Sequence, residues 1–281
     1  MIHPPRSLLF VSAERPDRFD KAMAAGADVV CIDLEDAVHP DRKNAARGAA
    51  IAYALQRSRA GDAGPRLALR MNPAGSLTGL RDVLAMADAG VSFDLLLLPK
   101  VESAQELVML EDWLPGAFGS LVALLETPLG VEHAPAIAAA VHGGAPRLAA
   151  LMLGGADLSM ELGARFDWDS LFSARGRLLN AARSHGLQAW DVPFIDVTDT
   201  AGLERETRRV LDLGFDCKAA IHPGQVAPMH AVFRSAPEDV AWAHGVLAAA
   251  ADGGNGAFLY QGKLVDAPLL KRAERILQRA N

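Results

Sequence analysis

The sequence predicts an α/β fold, a (β/α)8 TIM barrel followed by a C-terminal extension of helices and a hairpin. Three observations carry this prediction. Eight short apolar runs recur along the chain, segments with helical spacing of apolar residues separate them, and the pattern changes after Pro223. The runs are nearly continuous in Leu, Val, Ile and Ala rather than alternating, as parallel strands buried on both faces require. A doubly wound sheet shares this alternation of elements, but no Gly-x-Gly-x-x-Gly follows the first run.

The expected strands are Ser7–Ser12, Asp28–Leu34, Arg66–Asn72, Asp94–Lys100, Leu121–Glu126, Leu148–Gly154, Leu187–Val192 and Cys217–Ile221. Between them, Asp41–Arg57, Ser76–Ala89, Ala104–Leu114, Val131–Val141, Leu171–His185 and Thr200–Leu213 read as helices. Gly26, Gly90, Gly143, Gly186 and Gly214 close such segments, where a left-handed residue commonly terminates a helix. Beyond the barrel, Pro237–Ala251 and Ala267–Ala280 read as helices, Gly253-Gly254-Asn255-Gly256 as a joint, and residues 257–266 as a hairpin turning at Gln261-Gly262. Residues 1–235 are therefore expected to form the barrel and residues 236–281 an extension. On pattern alone the extension fits a barrel plug, a lid or an oligomer arm.

Composition narrows the function classes. The 281 residues are 51% hydrophobic and 22% charged with a net charge of -6, ordinary for a globular α/β domain. No basic stripe or arginine-rich tail points to nucleic acid. No apolar run approaches the roughly 18 residues of a membrane span, and the apolar run near the N-terminus is too short for a signal peptide. A cytoplasmic location is expected. Cys31 and Cys217, the only cysteines, lie in apolar segments and read as buried thiols.

The chemistry gathers at the strand ends, the catalytic face of a parallel barrel. Glu126 ends one apolar run and Asp157 follows the next, 31 residues later, about one strand–helix unit. That register places them side by side on the rim, where carboxylate oxygens with open positions suit Mg²⁺. Each alone also fits a helix cap or a surface acid. Asp33-Leu34-Glu35-Asp36 ends the second strand, and three bunched acids are costly unless paired with arginine, metal or solvent. Arg70 and Lys100 add positive charge at neighbouring strand ends. Acids for a metal beside cations for an enolate suit reversible aldol or Claisen cleavage, and also enolisation or hydrolysis. Arg70 also fits a structural partner of Glu35 or Asp36, and Lys100 with Glu102 a solvated pair at a helix start. His222 fits a hydrogen-bonded rim residue, and Asp191 a loop anchor.

Seven motifs occur in order: Arg6-Ser7-Leu8-Leu9-Phe10-Val11 with Arg15-Pro16; Asp33-Leu34-Glu35-Asp36-Ala37-Val38; Arg70-Met71-Asn72; Leu98-Pro99-Lys100-Val101-Glu102; Glu126-Thr127-Pro128-Leu129-Gly130; Gly154-Gly155-Ala156-Asp157-Leu158; and Ala220-Ile221-His222-Pro223-Gly224-Gln225. Together they resemble the citrate lyase β-subunit-like family of the HpcH/HpaI aldolase/citrate lyase superfamily, which includes malyl-CoA and citramalyl-CoA lyases. The resemblance spans essentially the whole chain. It implies Mg²⁺ held by Glu126 and Asp157, with Arg70 contacting the reacting carbonyl or carboxylate. Glu35 and Asp36 would orient Arg70 and the waters of the metal. Backbone amides around Gly155, Ala156 and Asp157 would hold the carboxylate of a small 2-oxo acid.

The resemblance also implies a coenzyme A thioester as substrate and an extension acting as a lid. Asp266 would reach a neighbouring subunit's site as acid/base, in a homotrimer or a multiple of it. The expected activity is Mg²⁺-dependent cleavage of a 3-hydroxyacyl-CoA into acetyl-CoA and a 2-oxo acid. A citrate lyase β subunit acting on an acyl-carrier thioester, a malyl-CoA thioesterase and a non-catalytic thioester-binding protein are the alternatives. Two departures bear on the carrier: Ser12-Ala13-Glu14 replaces a Pro-Gly-containing loop of many members, and Cys217 replaces a small residue.

Overall fold

A computed structural model describes residues 4–61, 64–253 and 256–280. The chain divides into two compact units, Pro4–Met229 and a second that begins at His230. In the first, eight parallel strands close in sequence order: β1 (Ser7–Ser12), β2 (Val29–Asp33), β3 (Arg66–Arg70), β4 (Phe93–Leu98), β5 (Phe118–Leu125), β6 (Leu148–Leu153), β7 (Gln188–Asp191) and β8 (Cys217–Ala220). The α/β barrel expected from the apolar runs is the fold observed. Alternate strand residues, among them Leu8, Cys31, Leu97, Val122, Met152 and Trp190, fill the barrel interior. Cys31 and Cys217 are free thiols in this interior, and burial pushes both well above the usual thiol range.

Several expected strands run one or two residues past the observed ones at their C-terminal ends. Asn72, Lys100, Glu126 and Gly154 all fall just outside the ladders. The apolar pattern continues there because these residues are still half-buried or buried. The backbone turns away, so polar side chains project over the barrel mouth.

The helices packed outside are α1 (Phe19–Met23), α2 (Lys43–Ala60), α3 (Leu77–Ala89), α4 (Ala104–Trp113), α5 (Pro128–Glu132), α6 (Ala134–Ala139), α7 (Gly155–Glu161), α8 (Phe172–Ser184), α9 (Thr200–Leu213) and α10 (Val226–Phe233). α10 straddles the boundary between the units. The single helix expected over Val131–Val141 is instead α5, α6 and a 3-10 turn, Ala140–His142. Pro135 has no N–H to donate back across His133, so the first helix ends and a second starts. Gly143 follows that tight turn with φ -122 rather than a left-handed value, whereas Gly26, Gly90, Gly186 and Gly214 are left-handed as expected. α1, α7 and α10 are shorter than the roughly 11 residues over which helical periodicity stands out, which is why the sequence pattern passes over them.

The second unit holds α11 (Pro237–Gly253), the antiparallel pair β9 (Phe258–Tyr260) and β10 (Lys263–Val265), and α12 (Ala267–Ala280). Gln261 and Gly262 turn the hairpin with φ 49 and 74, the left-handed pair of a two-residue turn. Ala243, Val246, Val265 and Ala273 form a buried core of its own, with Trp242 and Tyr260 against it. Gly254 and Asn255 of the expected joint lie outside the described residues. Among the described residues, no helix is long and apolar enough to cross a membrane.

Candidate active site

The mouth of the barrel gathers five acids and two cations. β2 delivers Asp33 and, just beyond it, Glu35 and Asp36; β3 ends in Arg70; Lys100, Glu126 and Asp157 follow β4, β5 and β6. Asp33 and Arg70 are register partners, and the guanidinium grips Asp33 with Nε to Oδ1 at 2.7 Å and Nη2 to Oδ2 at 2.6 Å. Its remaining nitrogen, Nη1, lies 3.0 Å from Glu35 Oε2, and the group stacks 5.0 Å from the Phe10 ring. Burial opposes the charge on Arg70, but Asp33 and Glu35 outweigh it and hold the group protonated.

Lys100 serves the acids twice. Its amide donates to Glu126 Oε1 at 2.8 Å, while its ammonium meets Glu35 Oε1 at 2.6 Å and Asp157 Oδ2 at 3.0 Å. The backbone there adopts φ 52, a left-handed conformation costing a non-glycine residue on the order of 1 kcal/mol or more. The surrounding carboxylates hold it in place. Burial opposes the ammonium, and Glu35 with Asp157 raises it above the usual lysine range. Lys100 is thus no solvated partner of Glu102, which instead lies at the start of α4, with its amide bonded to Glu106.

Glu126 is 3% exposed, and burial, with Glu35 and Asp157 nearby, pushes its carboxyl up to about 8. Glu35 is also raised, chiefly by burial, against the pull of Arg70 and Lys100. Thr127 follows Glu126 and caps α5 by accepting from the Gly130 amide at 3.0 Å, so the strand ends sharply with its acid over the mouth. Gly154 packs against that acid; a Cβ there would overlap the Glu126 carboxylate. Gly155, Ala156 and Asp157 form the first turn of α7, whose amides lack partners within the helix.

Glu35, Glu126 and Asp157 each offer an oxygen within 4.8 Å of the others. Glu35 Oε2 is buried and has no aligned hydrogen bond; the nearby Arg70 nitrogen meets it as an ion pair only. An all-oxygen set with an unspent carboxylate oxygen and excess negative charge fits a hard divalent cation. The pair Glu126 and Asp157 stands together as its spacing suggests, and Glu35 joins them.

A cavity of about 830 Å³ opens over these groups. Asp33, Asp36, Arg70, Glu126 and Asp157 line it, with Arg15, Arg18 and Lys21 adding positive charge and Met152, Ile195 and Ile221 apolar wall. Asp36 is exposed and meets Lys100 at 3.8 Å, whereas the grip on Arg70 comes from Asp33 and Glu35. The role of Asp33 was legible only in strand register. His222 is an exposed wall residue whose Nδ1 accepts from the Gly224 amide at 3.1 Å. Asp191 lies away from this chemistry, wholly buried between Arg175 at 2.7 Å and Lys218 at 3.1 Å. Asp266 belongs to the second unit, where it is exposed at the start of α12 and Oδ1 accepts from the Leu269 amide at 3.4 Å.

Residues 6–223 match the family described as HpcH/HpaI aldolase/citrate lyase. The chain belongs to this family. Similarity extends over nearly the full length of two relatives. A citrate lyase subunit beta-like protein of Mycobacterium tuberculosis is 37% identical, covering 97% of this chain and 94% of that protein. The L-malyl-CoA/beta-methylmalyl-CoA lyase of Cereibacter sphaeroides is 34% identical over 99% of this chain and 95% of its own. The crystal structure of CitE from Mycobacterium tuberculosis, in complex with magnesium, acetoacetate and coenzyme A, superposes with a TM-score of 0.81. It is 36% identical, covering 99% of this chain and 98% of that one. Membership places the chain among oxo-acid lyases.

Proposed function

We propose that this protein is a Mg²⁺-dependent lyase that cleaves a 3-hydroxyacyl-CoA, of the malyl-CoA or citramalyl-CoA kind, into acetyl-CoA and a 2-oxo acid. The observation that carries this reading is the trio Glu35, Glu126 and Asp157, with Glu126 and Asp157 lining one cavity together with Arg70. The trio would hold Mg²⁺, which when bound supplies a Lewis acid for the oxygens of an α-oxygenated carboxylate. The first-turn amides of α7, without partners inside the helix, would suit the same carboxylate, since such amides favour anions. Arg15, Arg18 and Lys21 on the cavity wall suit the phosphates of the thioester's carrier.

In the reaction, the bond between the thioester's α-carbon and the hydroxyl-bearing carbon breaks. The hydroxyl proton leaves to a base, that carbon becomes the ketone of the 2-oxo acid, and the electron pair passes to the thioester as an enolate. Arg70, fixed on one edge by Asp33, faces the developing negative oxygen. Asp266 of a neighbouring copy is the base; the same proton, returned to the α-carbon, completes acetyl-CoA. This requires an assembly of copies, a homotrimer or a multiple of it, with extensions exchanged as lids.

Incubation of the purified protein with Mg²⁺ and malyl-CoA, citramalyl-CoA or citryl-CoA, with products identified by mass spectrometry, tests the assignment. Acetyl-CoA with a 2-oxo acid is expected. Free CoA with a hydroxy acid would replace it with a thioesterase. No turnover on any thioester would overturn it.

A further inference from the structure

Lys43 and Asn72 stand behind the acid cluster, and neither is used by the chemistry above. Lys43 opens α2, and its ammonium donates to Leu34 O at 2.7 Å, Glu35 O at 2.7 Å and Asn72 Oδ1 at 2.8 Å. All three acceptors are neutral oxygens, which use up the three protons of an ammonium. This is an unusual assignment for a lysine close to Asp33, Glu35 and Asp36. A charge-balancing role alone would draw the ammonium onto one of those carboxylates, as Lys100 is drawn.

Asn72 is in turn fixed from behind. Its amide nitrogen Nδ2 and its backbone N–H both donate to Asp82 Oδ2, at 2.7 and 2.8 Å. Asp82, only 1% exposed, takes Arg47 Nε on its other oxygen at 2.6 Å. The result is a chain from the outer helices α2 and α3 through Asp82 and Asn72 to Lys43, ending on two successive backbone carbonyls. One of them belongs to Glu35. An asparagine suits the middle, because its amide nitrogen donates to a carboxylate while its amide oxygen accepts from an ammonium.

We propose that Lys43, tethered by Asn72 and Asp82, is a positioning residue that locks the backbone at Leu34 and Glu35 and thereby aims the Glu35 carboxylate at Arg70, Lys100 and the cation of the acid cluster. The part concerning the cation rests on the Mg²⁺ reading above. Glu35 has to be aimed because its single carboxylate meets Arg70 at the end of β3 and Lys100 beyond β4, and would also serve the cation. A shift of its backbone would loosen all of them together.

Two roles for Lys43 predict opposite signs. If it positions Glu35, Lys43→Met weakens Mg²⁺ binding by about 10–100-fold, the usual cost of losing a supporting group behind a metal ligand. If it only balances charge, the same substitution removes a positive charge near a divalent cation and tightens binding. Titration calorimetry with MgCl₂ on the full-length protein reads the sign, and amide hydrogen exchange over residues 34–37 reads the lock without any metal. Faster exchange there together with weaker Mg²⁺ binding is expected. Unchanged or tighter binding, or unchanged exchange, would overturn the proposal. Asn72→Ala keeps the lysine's charge but removes its tether. It is expected to move both readouts in the same direction by a smaller factor, and it decides the matter should Lys43→Met not fold. A wild-type protein that binds no Mg²⁺ would overturn the metal reading, and the exchange measurement alone then decides the positioning of Glu35.

Discussion

Asp33 and Arg70 face each other as register partners on β2 and β3, and their side chains close a two-point ion pair at 2.6 and 2.7 Å. Parallel pairing brings the two strand ends level, so the pair follows from the ladder itself. Because Asp33 holds one edge and Glu35 meets the remaining nitrogen, the guanidinium cannot rotate away from the cavity.

Arg70→Lys keeps the charge but loses the planar fork that makes this geometry. We expect kcat to fall by about 10²–10³-fold, the scale of losing one donor to a developing oxyanion. KM should change much less, because the contact strengthens as charge develops. Steady-state kinetics on the cleaved thioester measures both; a change in KM alone would place Arg70 in ground-state binding.

Gly154→Ala tests the packing under Glu126. The added methyl would occupy the space of the Glu126 carboxylate, and the Gly154 amide, bonded to Leu125 O at 3.1 Å, ties the backbone down there. Mg²⁺ binding should be lost or strongly weakened, while far-UV circular dichroism stays that of the wild type. Wild-type affinity in this variant would show that Glu126 does not ligate from its observed position.

How far the site could be read from sequence depends on what each residue's signal was. Glu126 and Asp157 were legible because each ends an apolar run and the spacing between them equals one repeat unit. The barrel itself was legible for the same reason. Asp33 was visible only as one of three bunched acids, since its pairing with Arg70 depends on strand register, which no local pattern encodes. Lys100 gave no signal for its left-handed backbone, a conformation normally left to glycine and here imposed by the carboxylates around it. α7 spans too few turns for its periodicity to stand out, and Asp191 reads alike whether it anchors a loop or, as found, neutralises two buried cations.

Asp191 makes a prediction about acid stability. Burial alone would raise its carboxyl, but Lys218 and Arg175 outweigh burial and hold it below the usual carboxylate range. A folded-state value below the unfolded one means that the stabilisation is fully present above about pH 4, the unfolded value, and is lost as pH falls through the folded value. Asp191→Asn leaves Lys218 and Arg175 short of their partner. It should cost about 3–5 kcal/mol at neutral pH, with a smaller difference from wild type in strong acid. Denaturant titrations at pH 7 and pH 3 measure the two gaps; equal gaps would contradict the assignment.

Asp266→Ala addresses the acid/base role. Asp266 lies in the second unit, where its side chain accepts from the Leu269 amide at the start of α12. We expect the variant to bind Mg²⁺ with wild-type affinity and to lose cleavage by about 10²–10⁴-fold, the range for a general acid–base group. Calorimetry and product analysis separate the two effects. Full activity would remove Asp266 from the reaction.

The raised carboxyl of Glu126 couples metal binding to pH. With a value pushed up to about 8, Glu126 is protonated in the free protein at neutral pH, whereas a metal ligand must be a carboxylate. Mg²⁺ affinity should therefore rise as pH increases toward 8 and level off above it, with about one proton released per ion bound well below 8. The same group makes folding stability fall as pH rises from the ordinary carboxylate range to about 8, because the folded protein retains a proton that the unfolded chain has lost. Mg²⁺ relieves that cost, so the rise in Tm on adding Mg²⁺ should be larger at pH 8.5 than at pH 6.5. Calorimetry in buffers of different ionisation enthalpy counts the proton, and Glu126→Gln should abolish both its release and the pH dependence. A pH-independent Mg²⁺ affinity in the wild type would mean that Glu126 is already ionised and that neighbouring cations, rather than burial, govern its charge.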